Sequence, residues 1–212
     1  MRHLVVIRHA LAHCNVAKTV GGPVGCSGLH PDGARQASRA AARLSTMFAE
    51  PPAAIRASPR RRAVETATPI AERFGLPLAI VDELREPDCG PHADGRPWAE
   101  ILHEARDVDR DDPAVPLIAG GELWATHVKR VTAALQALLD ERRDGTVLVV
   151  GHAETITAAF HLFLNIGPDE RPSMKIEAGN ASATIWSAAS GSASPPSRAW
   201  SLAAHNLALS DA

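Results

Sequence analysis

Apolar positions along this chain follow two rhythms. Leu4-Val5-Val6-Ile7 and Val147-Leu148-Val149-Val150 are unbroken, mostly β-branched runs, the pattern of strands buried on both faces of a sheet. Shorter runs at 54–57 and 78–81 predict further strands, and those at 183–187 and 199–202 predict a late hairpin. Elsewhere the spacing is helical. Ala37, Ala40, Ala41, Leu44 and Met47 line one face of a helix over 31–47, with Pro31 in its first turn and His30 where Ser or Thr usually caps. A helix over 59–74 stops at Gly75. Val128, Val131, Leu135, Leu138 and Leu139 mark another over 121–142, and a further helix starts near Ala153. A Gly-rich loop occupies 20–25, an irregular Pro-, Gly- and Asp-rich segment follows 81, and the Ser-, Ala- and Pro-rich stretch 188–198 is expected to be mobile. Strands alternating with helices predict one α/β domain, a three-layer sandwich whose mostly parallel central sheet is flanked by helices.

Both long strands end in the same way. Arg8-His9 follows the first, and Gly151-His152 follows the second. Open α/β sheets place their ligands at the carboxyl ends of strands. Two histidines delivered to one sheet edge suggest an imidazole nucleophile whose neighbours bind an anion. Arg8 alone reads as a surface ion pair, and His9 alone as a strand end. Asn15, Arg62 at a helix start, and Glu86 just past a strand shift that balance.

Composition narrows the chemistry. With 22 Lys and Arg against 24 Asp and Glu, the 212-residue chain carries a net charge of −2. No broad basic field argues for nucleic acid or an anionic membrane, so an anion site must be local. Three cysteines without a Cys-x-x-Cys pair fit a reducing compartment. Neither a leader-like N-terminus nor an apolar run of spanning length is present, and a cytoplasmic location is expected. His9 and His13 have zinc-like spacing but follow a strand into a loop, without His-Glu-x-x-His, so no metal is expected. Cysteine-phosphatase spacing fails, because Val20, Asp32 and Gly95 stand six residues after the three cysteines. Gly25-Cys26-Ser27-Gly28 misses the nucleophile-elbow pattern by one position, and no Walker A sequence occurs.

Seven segments in order resemble the histidine phosphatase superfamily, the phosphoglycerate mutase-like proteins, over nearly the whole chain. They are Arg8-His9-Ala10, Asn15, Leu29–Ala37, Ser58–Ala67, Leu84–Gly90, Gly120-Gly121-Glu122-Leu123 and His152-Ala153. The chain departs from the family pattern in several places. Ala stands for Gly at 10 and 153, where a methyl group restricts φ and could crowd a phosphate. Leu11 and Ala12 replace an acidic residue and a Thr, His30 replaces a Thr, and Leu123 replaces a Ser.

The resemblance implies phosphomonoester hydrolysis through a phosphohistidine on His9, with a small phosphorylated metabolite as substrate and no cofactor. Arg8 and Arg62 would clamp the phosphate in bidentate forks. Asn15, His152 and the Ala153 backbone would add hydrogen bonds. Glu86 would be the general acid and then the base, with Asp88 as its rival. Arg60 and Arg61 read as a solvated helix face, with Arg61 in reach of substrate as the alternative. Arg130 reads as a structural ion pair, and Glu154 as a helix cap or a substrate contact. The segment 87–120, with His92, Asp94, Arg96, Trp98 and His103, would cap the pocket. It is short for a true mutase, which favours hydrolysis. Phosphoglycerate-mutase-type transfer and a weakly active phosphate-binding interaction protein remain alternatives. A homodimer is common among similar proteins.

Overall fold

The computed structural model describes residues 1–109, 112, 114–116, 118–170 and 174–210. Among these residues six strands form one sheet: β1 (Arg2–Arg8), β2 (Ala54–Ala57), β3 (Leu78–Ile80), β4 (Gly145–Gly151), β5 (Ser182–Ala188) and β6 (Ser201–Ala208). Their order across the sheet is β3-β2-β4-β1-β5-β6. The pairs β1·β4, β4·β2 and β2·β3 are parallel, and β5 runs antiparallel to both β1 and β6. Among the described residues six α-helices accompany them: α1 (His13–Ala17), α2 (Pro31–Met47), α3 (Arg61–Phe74), α4 (Trp98–Glu104), α5 (Trp124–Glu141) and α6 (Ala153–Leu164).

The pleat of the two apolar runs sorts the core into two faces. Val5 and Ile7 of β1 and Leu148 and Val150 of β4 pack with Leu44 of α2 and Ile70 of α3. Leu4, Val6, Val147 and Val149 point the other way, onto Val131, Leu135 and Leu139 of α5 and Ile156 of α6. Each such fully buried branched side chain contributes about 1.5–3 kcal/mol. This gives the expected sandwich, with α2 and α3 on one face and α5 and α6 on the other. Among the described residues no helix is long and apolar enough to cross a membrane.

Helix boundaries follow local chemistry. His30 caps α2 by accepting the Asp32 N–H at its Nδ1. Gly75 ends α3 with φ +63°, a backbone conformation a side chain would strain.

Four expectations need correction. The late strand β6 runs to Ala208, well beyond 202. Short helices α1 and α4 stand where only loop was expected. Helix α3 starts at Arg61, two residues late, which leaves Arg60 extended just before its first turn. Helix α5 starts at Trp124, three residues late. The 188–198 stretch makes contacts with the rest of the chain: Arg2 Nη1 donates to the Ser192 carbonyl at 2.7 Å, Ser194 Oγ to Asp140 at 2.7 Å, and Trp200 Nε1 to the Ala193 carbonyl at 2.8 Å.

The segment 87–120 docks on the Gly-rich loop; its positions 110, 111, 113 and 117 lie outside the described residues. Val20 N–H donates to the Arg96 carbonyl, Gly95 N–H to the Val20 carbonyl, and Trp98 N–H to the Lys18 carbonyl. Asp94 accepts from the backbone N–H groups of Val24 and Gly25 at 2.7 and 2.9 Å. Val20, Ala93, Ile101 and Ile118 close a small apolar cluster beneath it.

Candidate active site

Three neighbouring strands end together. β1 delivers Arg8 and His9, β4 delivers Gly151 and His152, and β2, on the far side of β4, delivers Ser58. His9 N–H donates to the Gly151 carbonyl at 2.9 Å, and Ser58 N–H to the Val150 carbonyl at 2.9 Å. The two imidazoles meet edge to face with centroids 5.3 Å apart.

Hydrogen bonding sets the His9 tautomer. Its Nδ1–H donates to its neighbour's carbonyl, that of Ala10, at 2.8 Å. Nε2 is thereby left with a lone pair, which accepts Arg62 Nε–H at 3.0 Å. Burial, then the charges of Arg62 and Arg8, hold the ring well below the usual histidine range, although the Ala10 contact pulls upward. A neutral imidazole with one unprotonated nitrogen can act as a nucleophile once that lone pair is free of its donor. His152 is equally buried and held well below the usual range, by burial first and then by Arg62, His9 and Arg60. Its Nε2 meets Ser58 Oγ at 2.8 Å, and its backbone N–H donates to Thr155 Oγ1 at 3.0 Å.

Arg62, in the first turn of α3, joins the site together. Besides His9, its guanidinium donates to the Gly21 carbonyl at 2.6 Å and to Glu86 Oε2, and it meets His152 Nδ1 at 3.4 Å. A side chain at position 21 would collide with Cys14 Sγ and Arg62 Nη1, so glycine is what lets this loop reach the guanidinium. Glu86 also accepts Arg60 Nε–H at 3.0 Å and lies 3.8 Å from His152 Nδ1. Burial lifts the Glu86 carboxyl to about 7; Arg62 and Arg60 pull it down, and Glu154 pushes it further up.

The remaining site residues fall in different places. Arg8 is half-buried, with Nη1 on the Ala178 carbonyl at 2.5 Å and Nε without a hydrogen-bond partner among the described residues. Burial pulls its pKa down, against the opposing pull of Glu154. Asn15 Oδ1 accepts from Ala12 N–H at 3.0 Å and from Asn180 Nδ2 at 3.4 Å. Ala153 opens α6, directly after His152.

Arg60 is not a solvated residue: it is buried on Glu86. Arg61 is exposed and pairs with Glu65. Asp88 is exposed, and its carboxylate turns back to Gly90 N–H at 2.8 Å. Arg130 pairs with Glu122 and also donates to the carbonyls of Glu83, Arg85 and Glu86, so it clamps the backbone that carries Glu86. The methyl group of Ala10 packs among Ala37 and Ala181. Neither Ala10 nor Ala153 has positive φ, so neither turn carries the strain expected there.

Two contributors escaped the sequence reading. Ser58 sits at a strand end, the same signal that marked both histidines. Asn180 donates to the His9 carbonyl at 3.1 Å from the loop before β5, and no local pattern singles it out. Among the described residues, no three His, Cys, Asp or Glu side chains converge in a metal-holding group.

The chain is 29% identical over 188 residues to a 2,3-bisphosphoglycerate-dependent phosphoglycerate mutase of Thermoplasma acidophilum, spanning 87% of this chain and 86% of that one. It is also 29% identical over 168 residues to a bifunctional protein of Mycobacterium tuberculosis, covering 77% of this chain but only 44% of that longer protein. A mycobacterial glucosyl-3-phosphoglycerate phosphatase solved with VO3 superposes with a TM-score of 0.81 at 27% identity, over 98% of this chain and 100% of that one. The model for the histidine phosphatase superfamily (branch 1) matches residues 4–200, and the chain belongs to that family.

Proposed function

We propose that this protein is a phosphomonoesterase for small phosphorylated metabolites that works through a phosphohistidine on His9. The carrying observation is the His9 ring itself. It is buried and neutral, with Nδ1–H fixed on the Ala10 carbonyl and the Nε2 lone pair turned toward Arg62. The phosphatases among its structural relatives support the reading. Arg62 and Arg8, whose Nε has no partner among the described residues, supply charged donors for phosphate oxygens. Asn15, His152 and the Ala153 backbone complete that cradle.

In the first half-reaction, His9 Nε2 bonds to phosphorus and the P–O bond to the alcohol breaks. The Glu86 carboxyl proton goes to the departing oxygen. In the second, Glu86 takes a proton from water, the resulting hydroxyl attacks phosphorus, and inorganic phosphate leaves with His9 restored. The segment 87–120 acts as the cap, within a single domain. The free cysteines Cys14, Cys26 and Cys89 fit work in the cytoplasm.

Mixing with labelled substrate followed by a neutral or alkaline quench should trap an acid-labile, base-stable adduct on His9. Label on another residue, or full activity in His9→Ala, overturns the reading.

A further inference from the structure

The reaction above uses Glu86 but not the carboxylate beside it. Glu154, second residue of α6, is half-buried, and no side chain among the described residues donates to its carboxylate. It shares a cavity of about 300 Å³ with the Trp124 ring and with Thr157, Met174, Lys175 and Ile176. One wall of the cavity begins one residue after His152. The other leads to Ala178, whose carbonyl holds Arg8. Glu154 itself is near enough to the phosphate cluster for its charge to favour the charged form of Arg8 and to push Glu86 up. Lys175 is exposed and pairs with Glu177 at 2.9 Å, so its charge is already answered at the surface.

The charges divide sharply. Arg8 and Arg62 serve the phosphate, whereas the adjoining cavity offers a negative carboxylate beside the Trp124 indole, whose ring also packs on His127 and His161. An alcohol bearing a carboxylate or second phosphate is repelled there. An ammonium group is attracted by both features, because cations bind favourably over an indole ring. Resting on the phosphatase reading, we propose that Glu154 and Trp124 form a leaving-group subsite. It selects phosphate monoesters whose alcohol carries an ammonium group and rejects those whose alcohol is anionic.

The test compares kcat/KM for phosphoethanolamine, phosphocholine, glycerol 3-phosphate and 3-phosphoglycerate, with p-nitrophenyl phosphate reporting phosphatase competence. One charge contact at a half-open site is worth roughly tenfold in selectivity. The ammonium esters should lead 3-phosphoglycerate by about that factor or more. Glu154→Gln should erase most of the ratio, and Glu154→Lys should invert it. Trp124→Leu should lower phosphocholine turnover more than glycerol 3-phosphate turnover. A wild-type enzyme that cleaves p-nitrophenyl phosphate but shows no preference by charge overturns the subsite alone. So does a Glu154→Gln variant that moves all four esters in parallel. No cleavage of p-nitrophenyl phosphate by the wild-type protein overturns the phosphatase reading and the subsite with it.

Discussion

Replacing Glu86 with Gln separates the catalytic role proposed for this carboxyl from what it does to the fold. The amide keeps the shape but can neither donate a proton as an acid nor ionise. Burial lifts the carboxyl from its ordinary 4.5 to about 7. A raised carboxyl favours the folded state while protonated, and that advantage is fully present below pH 4.5. It is lost as pH climbs through 7, where the folded protein must hold a charge that the unfolded chain carries freely. The loss is about 3 kcal/mol. Glu86→Gln should therefore match wild type in urea unfolding near pH 4.5 and exceed it by about 3 kcal/mol at pH 8. For a chain of this size, that gain raises Tm by about 6–12 °C. Activity should move the opposite way. General acid catalysis contributes ~10²–10⁴-fold, so alkyl phosphates should suffer that loss while p-nitrophenyl phosphate, whose leaving group needs little help, suffers far less. Wild-type turnover of alkyl phosphates should fall as pH rises through about 7. Asp88→Asn is the control and should leave the leaving-group dependence intact. If wild type proves the more stable protein at pH 8, the ion pairs with Arg60 and Arg62 outweigh burial, Glu86 starts turnover ionised, and the acid role falls. If Asp88→Asn shows the leaving-group-dependent loss instead, the acid is assigned to the wrong carboxylate.

Arg130→Ala should cost about 3 kcal/mol in urea unfolding, because it leaves Glu122 as a nearly buried, unpaired charge. It should also shift the alkaline limb of the pH–rate profile by releasing the carbonyls of residues 83, 85 and 86. Arg130→Lys should not rescue that shift, since one ammonium cannot reach three carbonyls and a carboxylate; a profile unmoved by either change refutes the clamp. Ala10→Gly should destabilise by about 0.5–1 kcal/mol in thermal unfolding, because its methyl group is packed and its φ ordinary. A gain in stability would instead mean that the alanine is strained.

The sandwich was legible because two apolar runs fill the centre of the sheet, and an unbroken run of that length has few other uses. Both histidines were legible for the same reason, since strand ends in such sheets are where ligands sit. Arg60 and Arg61 were not separable, because the start of a helix is blurred by a residue or two. With α3 starting at 61, Arg60 becomes the extended residue before the helix and turns onto Glu86, while Arg61 faces solvent. Asn180 lies 171 positions from His9 in sequence and belongs to no periodic element. The 188–198 stretch has the composition of a mobile loop, but its partner is Arg2, at the other end of the chain. Composition reports what a segment can do alone, and these contacts are made by residues remote in sequence.

The resting position of Arg62 bears on how the proposed reaction begins. One guanidinium covers the His9 lone pair and holds Glu86. In that arrangement the proposed nucleophile is masked, and the guanidinium pulls Glu86 toward ionisation against the burial that lifts its carboxyl to about 7. A phosphate dianion attracts the guanidinium far more strongly than a neutral imidazole does. As Arg62 turns to the phosphate, the lone pair on His9 is exposed. The strongest charge opposing protonation of Glu86 is drawn away in the same movement. In the proposed reaction, substrate binding would thus unmask the nucleophile and favour the protonated form of the acid together. A lysine could supply the charge at position 62 but not the geometry. Its single ammonium lacks the planar fork that lets one side chain reach His9, Glu86 and the Gly21 carbonyl from three nitrogens.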